Sequence, residues 1–456
     1  MKIKHIPLKY LTAGLCLGAA ALAPEALGQA STDALIDQLL KKGVLTESEA
    51  KALRAAPAAK PASTPAPTDV RVFWRDGLNF EAGDKKTFKG KLGGRIDLDI
   101  AAFDESDEVE AVTGPNEAGV EFRRARIAVE GEIGTGLPTL YKVEFDFAHS
   151  TVATKDLFVA LTEIPALGRF QVGHFKEPFI LDQLTSANNV SFMERAAPVE
   201  AFTLDRNTGA MFQNSVFEQR ATWAAGVFTE TDDSGDNFRL DGNWHLTGRI
   251  TGLPWFVEEE KGRQYLHLGA SASYVENANG LARYRSRPEA HLAPRYVDTG
   301  TFAASHTILA GAEAALVCGP VSVQGEYIRT WVSRPGGADD AEFDGFYAFV
   351  SYFLTGEHRP YRRTEGRFDR VRPNRNFALG ENGGPGAWEV LLRYSQLDLN
   401  DSGLAGGRLN DITGGVTWYL NPNWKVMFNY VFAQLDRGVA DGDNAHIFQT
   451  RFHVDF

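Results

Sequence analysis

The chain has 456 residues, 43% hydrophobic and 23% charged, with 45 Gly, 30 Phe and 2 Cys. That is too polar for a bundle of membrane helices and too apolar for disorder, so the chain must build a large core or an equally large membrane wall. Two Cys exclude a disulfide scaffold and a Cys metal cluster, and a formal charge of -12 argues against nucleic acid as a partner while leaving room for a concentrated basic patch.

Lys2, Lys4 and Lys9 precede a small-residue apolar run from Tyr10 to Ala23, and Gly28-Gln29-Ala30 offers small side chains to a cleavage pocket. This predicts a secretory signal peptide over 1–30, because the run falls short of the roughly 20 apolar residues of a spanning helix. Leu15 stands before Cys16 where a lipid-anchor motif wants a small residue, and loss of the leader leaves Cys318 alone. Next, Leu35, Ile36, Leu39 and Leu40 share a helical face, Gly43 closes it, and Thr46 with Glu49 forms a capping box for a second helix over 47–55. A short helical hairpin is therefore expected over 31–55, on the periplasmic side of a membrane. Residues 56–68 are Ala/Pro-rich and read as an extended spacer.

From 69 to 456 the period is two. Ile96, Leu98 and Ile100 alternate with Asp97 and Asp99, Tyr141, Val143, Phe145 and Phe147 with Lys142, Glu144 and Asp146, and Trp424, Val426, Phe428, Tyr430 and Phe432 share one face. Strands are predicted at 87–101, 119–133, 138–148, 153–164, 167–176, 208–218, 221–231, 240–252, 264–275, 304–318, 320–332, 343–354, 387–399, 408–420, 423–435 and 444–456. The reading is all-β, a transmembrane antiparallel β-barrel of about 16 strands, an even number of lengths suited to crossing a bilayer. Short turns such as 318–320 and 421–423 are expected on one rim and the long stretches 177–207, 276–303 and 355–386 on the other. A soluble sandwich or propeller also uses alternating strands. Against it stand the strand lengths, aromatic residues at strand ends, and Phe452, Val454 and Phe456 in the final run, a pattern read by outer-membrane assembly machinery.

A barrel of this size encloses water, so function rests on the charges facing its lumen. Arg283, Arg285 and Arg287 alternate in 282–291, which places three guanidiniums about 7 Å apart on one edge of an extended backbone. Guanidinium stays ionised and its fork matches phosphate oxygens, so the row suits stepwise passage of an anion. It equally suits a solvated basic loop or a patch touching lipopolysaccharide phosphates. On 119–133, Ala125, Ile127 and Val129 mark the lipid side, so Arg124 and Arg126 face inward with Glu130 and Glu132. Arg123 faces outward unless a bulge turns it. Inward Arg and Glu also suit a purely structural charge network. Lys176 begins the long stretch 177–207, which is long enough to fold into the barrel and narrow it.

Seven ordered stretches resemble the phosphate-selective porins O and P: FRRARIAVEGEI (122–133), GHFKEPFILDQLTSANNVSFMERA (173–196), YRSRPEAH (284–291), VQGEYIRTW (323–331), SYFLTGEHRPYRRTEGRFDRVRPNRNF (351–377), GAWEVLLRYSQLDLND (386–401) and WYLNPNWKVMFNYVFA (418–433). The segment VLTESEA is similar to one that many members carry. The resemblance implies a homotrimer of sixteen-stranded barrels in a Gram-negative outer membrane, passing inorganic phosphate or other small anions and needing no cofactor. By motif it assigns Arg283, Arg285 and Arg287 to an arginine ladder, Arg123, Arg124 and Lys176 to a constriction, and Asp146 to its acidic partner. The acidic chain is a departure that bears on phosphate preference. The competing reading is a surface adhesion or structural barrel with a closed lumen. Catalysis is not expected: the pairs His149-Ser150 and Ser305-His306 are sequence neighbours, which point to opposite faces of a strand.

Overall fold

The computed structural model describes residues 36–43, 46–55, 70–75, 77–83, 87–134, 136–236, 242–259, 262–380 and 383–456. The predicted leader 1–30 and spacer 56–68 lie outside them. Two compact units divide the chain, Met1–Thr68 and Asp69–Phe456. In the first, 36–41 and Glu47–Ala55 are helical, and the second helix is capped reciprocally: the Thr46 N–H donates to Glu49 Oε2 (2.9 Å) and the Glu49 N–H to Thr46 Oγ1 (3.4 Å).

The second unit opens with a hairpin, β1 (Arg71–Trp74) and β2 (Leu78–Ala82), that the sequence pattern did not mark. The wall follows: β3 (Phe88–Glu105), β4 (Gly119–Ile133), β5 (Thr139–Asp146), β6 (Ala153–Ile164), β7 (Gly168–Lys176), β8 (Arg206–Val216), β9 (Ala221–Thr229), β10 (Trp244–Glu259) and β11 (Gly262–Glu276). After the loop ladders β12 (Leu281–Ala282), β13 (Arg285–Ser286), β14 (Val297–Asp298) and β15 (Phe302–Ala303), it continues with β16 (His306–Cys318), β17 (Val321–Ser333) and β18 (Ala341–Phe353). Beyond β19 (Tyr361–Arg362) and β20 (Arg367–Phe368) it ends with β21 (Ala387–Asp401), β22 (Leu404–Asn421), β23 (Trp424–Arg437) and β24 (Ala440–Asp455). Neighbours pair antiparallel throughout, and β24 pairs back onto β3, Ala445 opposite Glu105 through Asp455 opposite Arg95, closing a barrel of 16 strands.

The faces are inverted relative to a water-soluble protein. Phe122 is 57% exposed on the outside while Arg124, two residues on, is 4% exposed on the inside. Ile96, Ile127, Ile250, Phe428 and Phe448 are exposed in the same outward set, and Asp97, Asp99, Glu389 and Arg451 are buried in the inward one. Apolar out and charged in is the pattern a lipid solvent selects. Outward aromatics gather near the strand ends: Trp388 stacks on Trp418 at 5.0 Å at one rim and Trp244 meets Tyr274 at 5.2 Å at the other.

Antiparallel order puts the start of β3 and the end of β24 on one rim. Among the described residues, four of the connections on that rim are tight, 165–167, 217–220, 319–320 and 422–423. The opposite rim carries 177–205 and 277–305. One expectation fails here: 354–386 is long but lies on the rim of tight turns, because β18 ends there. Its Tyr361 and Phe368 pack with Tyr265, Leu253 and Val317 on the inner wall, and the Arg359 guanidinium lies 3.5 Å from the Phe368 ring centre, so the segment fills part of the barrel instead of extending from it.

The seam is narrow because glycines line it. Gly94 and Phe456 exchange both backbone hydrogen bonds (2.9 and 3.0 Å), and a Cβ on Gly94 would sit 2.6 Å from the Arg126 carbonyl and 2.8 Å from the Phe456 ring. Overpacking of this kind costs about 1–3 kcal/mol. We expect Gly94→Val to lower the yield of heat-modifiable folded barrel on cold SDS gels, and Gly414→Ala, whose Cβ would meet nothing within 4 Å, to leave it unchanged.

Candidate functional site: a charged lumen narrowed by inserted loops

The connection 177–205 turns into the barrel because it is as apolar as a core. Phe179, Ile180, Leu181, Phe192, Met193, Val199 and Phe202 are all buried. Two wall glycines make the room. A Cβ on Gly311 would come within 2.6 Å of Ile180, and one on Gly345 within 2.7 Å of Pro198. Polar ties then fix the loop across the lumen. Lys425 Nζ donates to the carbonyls of Asn188 and Val190 (3.0 Å each), Thr417 Oγ1 to that of Ser191 (3.1 Å), and Arg393 to that of Glu194 (3.1 Å). The stretch, long enough by sequence to fold into the barrel, does so.

What remains is one continuous cavity of about 1030 Å³, reaching from Arg287 and His291 on one side to Arg75 and Phe456 on the other. Among the described residues lining it, nineteen are Lys or Arg and twelve are Asp or Glu. The lumen is therefore basic inside a chain whose formal charge is -12.

Two charge clusters flank the loop. In the first, Arg123 donates from Nε and Nη2 to Glu194 (2.9 and 3.2 Å), Arg124 Nη1 donates to Asp97 (2.9 Å), and Arg451 bridges Asp99 and Glu194 (2.6 Å each). Consecutive arginines share the lumen because β4 carries a bulge: Asp97 pairs with Arg124 and Leu98 with Phe122, leaving Arg123 as the extra residue. The simple alternation that turns Arg123 toward lipid is thereby corrected. Burial raises the Glu194 carboxyl, but Arg123, Arg451 and Arg124 more than reverse this and hold it well below its ordinary value.

In the second cluster, Arg206 donates to Asp156 (2.8 Å), Lys142 reaches Glu144 (2.8 Å) and Asp156 (2.5 Å), and Arg126 reaches Asp146 (2.7 Å) and Glu144 (3.1 Å). The Lys176 amino group donates to the carbonyl of Gln183 on the loop. Burial raises Asp205 also, and the fields of Arg206, Lys176, Arg195 and Lys155 bring it to about 2. Lys155 lines the cavity, and none of the described residues forms an ion pair with it.

The residues singled out by sequence divide. Arg123, Arg124, Lys176 and Arg287 line the cavity. Arg287 donates to Glu200 (3.1 Å) and to the Ala293 carbonyl (2.9 Å). Arg283 and Arg285 are exposed and outside the cavity lining, Arg283 clamped by both oxygens of Asp298. The row of guanidiniums is thus balanced by Asp298 and Glu200. Asp146 also lies outside the cavity lining. It accepts from the backbone N–H of Ala125 (3.1 Å) and Ala148 (3.2 Å) as well as from Arg126, which makes it a brace for the bulged strand. Sequence reasoning missed Glu194, Arg206, Asp156 and Arg451 as lumen charges. Inward phase on their strands marked Arg451 and Asp156, but nothing local marked Glu194.

An apolar exterior, a closed sixteen-strand wall and a continuous charged passage define an outer-membrane porin, a channel seated in the Gram-negative outer membrane with its tight turns toward the periplasm. The chain belongs to the phosphate-selective porin O and P family, which matches residues 91–456. It is 32% identical over 394 residues to a protein of Caulobacter vibrioides, covering 82% of this chain and 73% of that one. It is 28% identical over 433 residues to Porin O of Pseudomonas aeruginosa, covering 85% and 93%. Among solved structures, the anion-selective porin from Comamonas acidovorans shares the fold at a TM-score of 0.50 and 14% identity, covering 81% of this chain and all of that one. OmpT of Vibrio cholerae does so at 0.51 and 10%, covering 81% and 100%.

The loop carboxylates set a pH window. Asp205 is depressed, so its contribution to loop anchoring is complete above the ordinary carboxylate range near 4 and is lost as pH falls toward about 2. Glu194 has the same sign. Single-channel current noise should stay flat from pH 8 to about 4 and rise as pH falls toward about 2, when the loop comes free.

Proposed function

We propose that this porin passes small anions by diffusion, with inorganic phosphate or a related oxyanion as its substrate class. The carrying observation is the excess of Lys and Arg over Asp and Glu along the cavity, against an acidic chain. In a narrow, partly dehydrated passage that excess raises the local anion concentration and opposes cations. Arg123 and Arg124 side by side offer planar forks suited to oxyanion oxygens, and Lys176 and Lys155 are point charges farther along. On this reading Arg287 hands the anion inward, while Arg283 and Arg285 collect it at the mouth. Carboxylates spaced between the cations keep each site weak enough to release what it binds. The continuity of the cavity favours this reading over a closed-lumen adhesion or structural barrel. The proposal includes assembly as a homotrimer, each protomer with its own pore, and recognition of the segment ending in Phe456 by the assembly machinery.

Lys155 gives the cleanest test because its removal orphans no carboxylate among the described residues. Lys155→Gln should lower chloride conductance roughly twofold at 0.1 M salt and much less at 1 M, where the screening length falls to about 3 Å. Arg124→Lys should keep anion preference and weaken phosphate block of the chloride current, since charge persists and the fork is lost. Unchanged conductance and unchanged block in both variants would remove these residues from the permeation path.

A further inference from the structure

Where the far-rim loops meet β4, three side chains from separate segments converge. Glu121 lies two residues before the bulged Arg123, on the inward face of β4. His291, from the connection 277–305, places Nδ1 2.7 and 3.0 Å from the two Glu121 carboxylate oxygens. His149, from 147–152, holds its Nδ1 3.8 Å from Glu121 Oε2, and its ring centre lies 5.3 Å from that of His291. One donor atom from each residue falls within 4.8 Å of the other two.

The backbone at His149 is an independent observation. His149 (φ 61°, ψ 31°) and Ser150 (φ 62°) are both left-handed, a conformation that non-glycine residues adopt at a cost and that clusters at ligand clamps. This turn brings the exposed His149 ring back over Glu121.

We propose that Glu121, His149 and His291 form a binding site for a borderline divalent cation of the Zn2+ type at the outer entrance of the pore. Two imidazoles and one carboxylate are the donor set that such ions take, whereas Mg2+ and Ca2+ require oxygen ligands. Binding at Nδ1 moves the proton shared between His291 and Glu121 to Nε2, so the imidazole stays neutral and no oxidation state changes. Three protein ligands leave a coordination position for water or for an oxyanion oxygen. The ion would join β4 to two separate loops beside Arg123 and His291, which line the cavity, and would add positive charge where anions enter. The donors come from distant parts of the chain, so no sequence spacing announces them.

Isothermal titration of the detergent-solubilised full protein with Zn2+ tests this. The exposed thiol Cys318 is first replaced in a Cys318→Ser background to remove a competing ligand. One Zn2+ per protomer is expected at pH 7.5, with no response to Mg2+. At such sites the loss of a supporting hydrogen bond alone costs about 10- to 100-fold in affinity. His149→Ala/His291→Ala should therefore weaken Zn2+ by at least about tenfold while heat-modifiable migration persists. Absence of Zn2+ binding, or wild-type affinity in the double variant, would overturn the site. X-ray absorption at the zinc edge gives a second reading: imidazole scattering supports it and an all-oxygen shell contradicts it. Neither readout depends on which anion the pore carries.

Discussion

Every backbone N–H and C=O in a bilayer must find its partner within the protein, and a closed antiparallel ladder is one of the two structures that achieve this. Here closure is made by β24 against β3 and completed at the glycine-lined contact of Gly94 with Phe456. Once the ladder is closed, strand alternation sends apolar side chains to lipid and the charged ones to the lumen, where apolar inner-wall residues such as Leu253 and Val317 pack against the inserted segments. A lumen walled by Asp97, Asp99, Arg124, Glu389 and Arg451 is the consequence of that division.

Those lumen charges must be satisfied in turn, and the loop 177–205 does much of that work. Glu194 binds Arg123 and Arg451, and its neighbour Arg195 donates to the carbonyls of Asp182, Gln183 and Thr185, which knits the loop to itself. Breaking one such buried pair by removing a single partner leaves an uncompensated charge and typically costs about 3–5 kcal/mol. The same groups that hold the loop therefore define the opening it leaves. Positive charge exceeds what the loop and wall carboxylates neutralise, and that surplus is the feature with functional meaning. The net charge of the chain conceals it, because acidic residues elsewhere outweigh it.

Much of this was legible in the sequence because period-two alternation is local. Each of the sixteen wall strands overlaps its predicted segment, and the stretch after Lys176 was recognisable as long enough to fold inward. What was illegible depends on distant partners. The bulge that turns Arg123 inward is a property of the pairing between β3 and β4, visible only once Leu98 stands opposite Phe122. Glu194 becomes a lumen charge because Gly311 and Gly345 admit its loop, and Arg451 meets Asp99 only through closure of the ladder. The rim of 354–386 followed from counting strands, yet its length resembled the far-side loops and masked the parity. Arg283 and Arg285 kept the alternation seen in the sequence, but Asp298 clamps Arg283 at the mouth, outside the cavity, a pairing no local pattern displays.

The central claim is that surplus lumen charge makes this a pore for anions. Reversal potential across a planar bilayer holding the purified protein under a potassium chloride gradient tests it most directly, with phosphate then added to both sides. The account requires a potential of the sign set by chloride and a chloride current that falls as phosphate competes for the same sites. A potential near zero or of the sign set by potassium, with a current indifferent to phosphate, would contradict it.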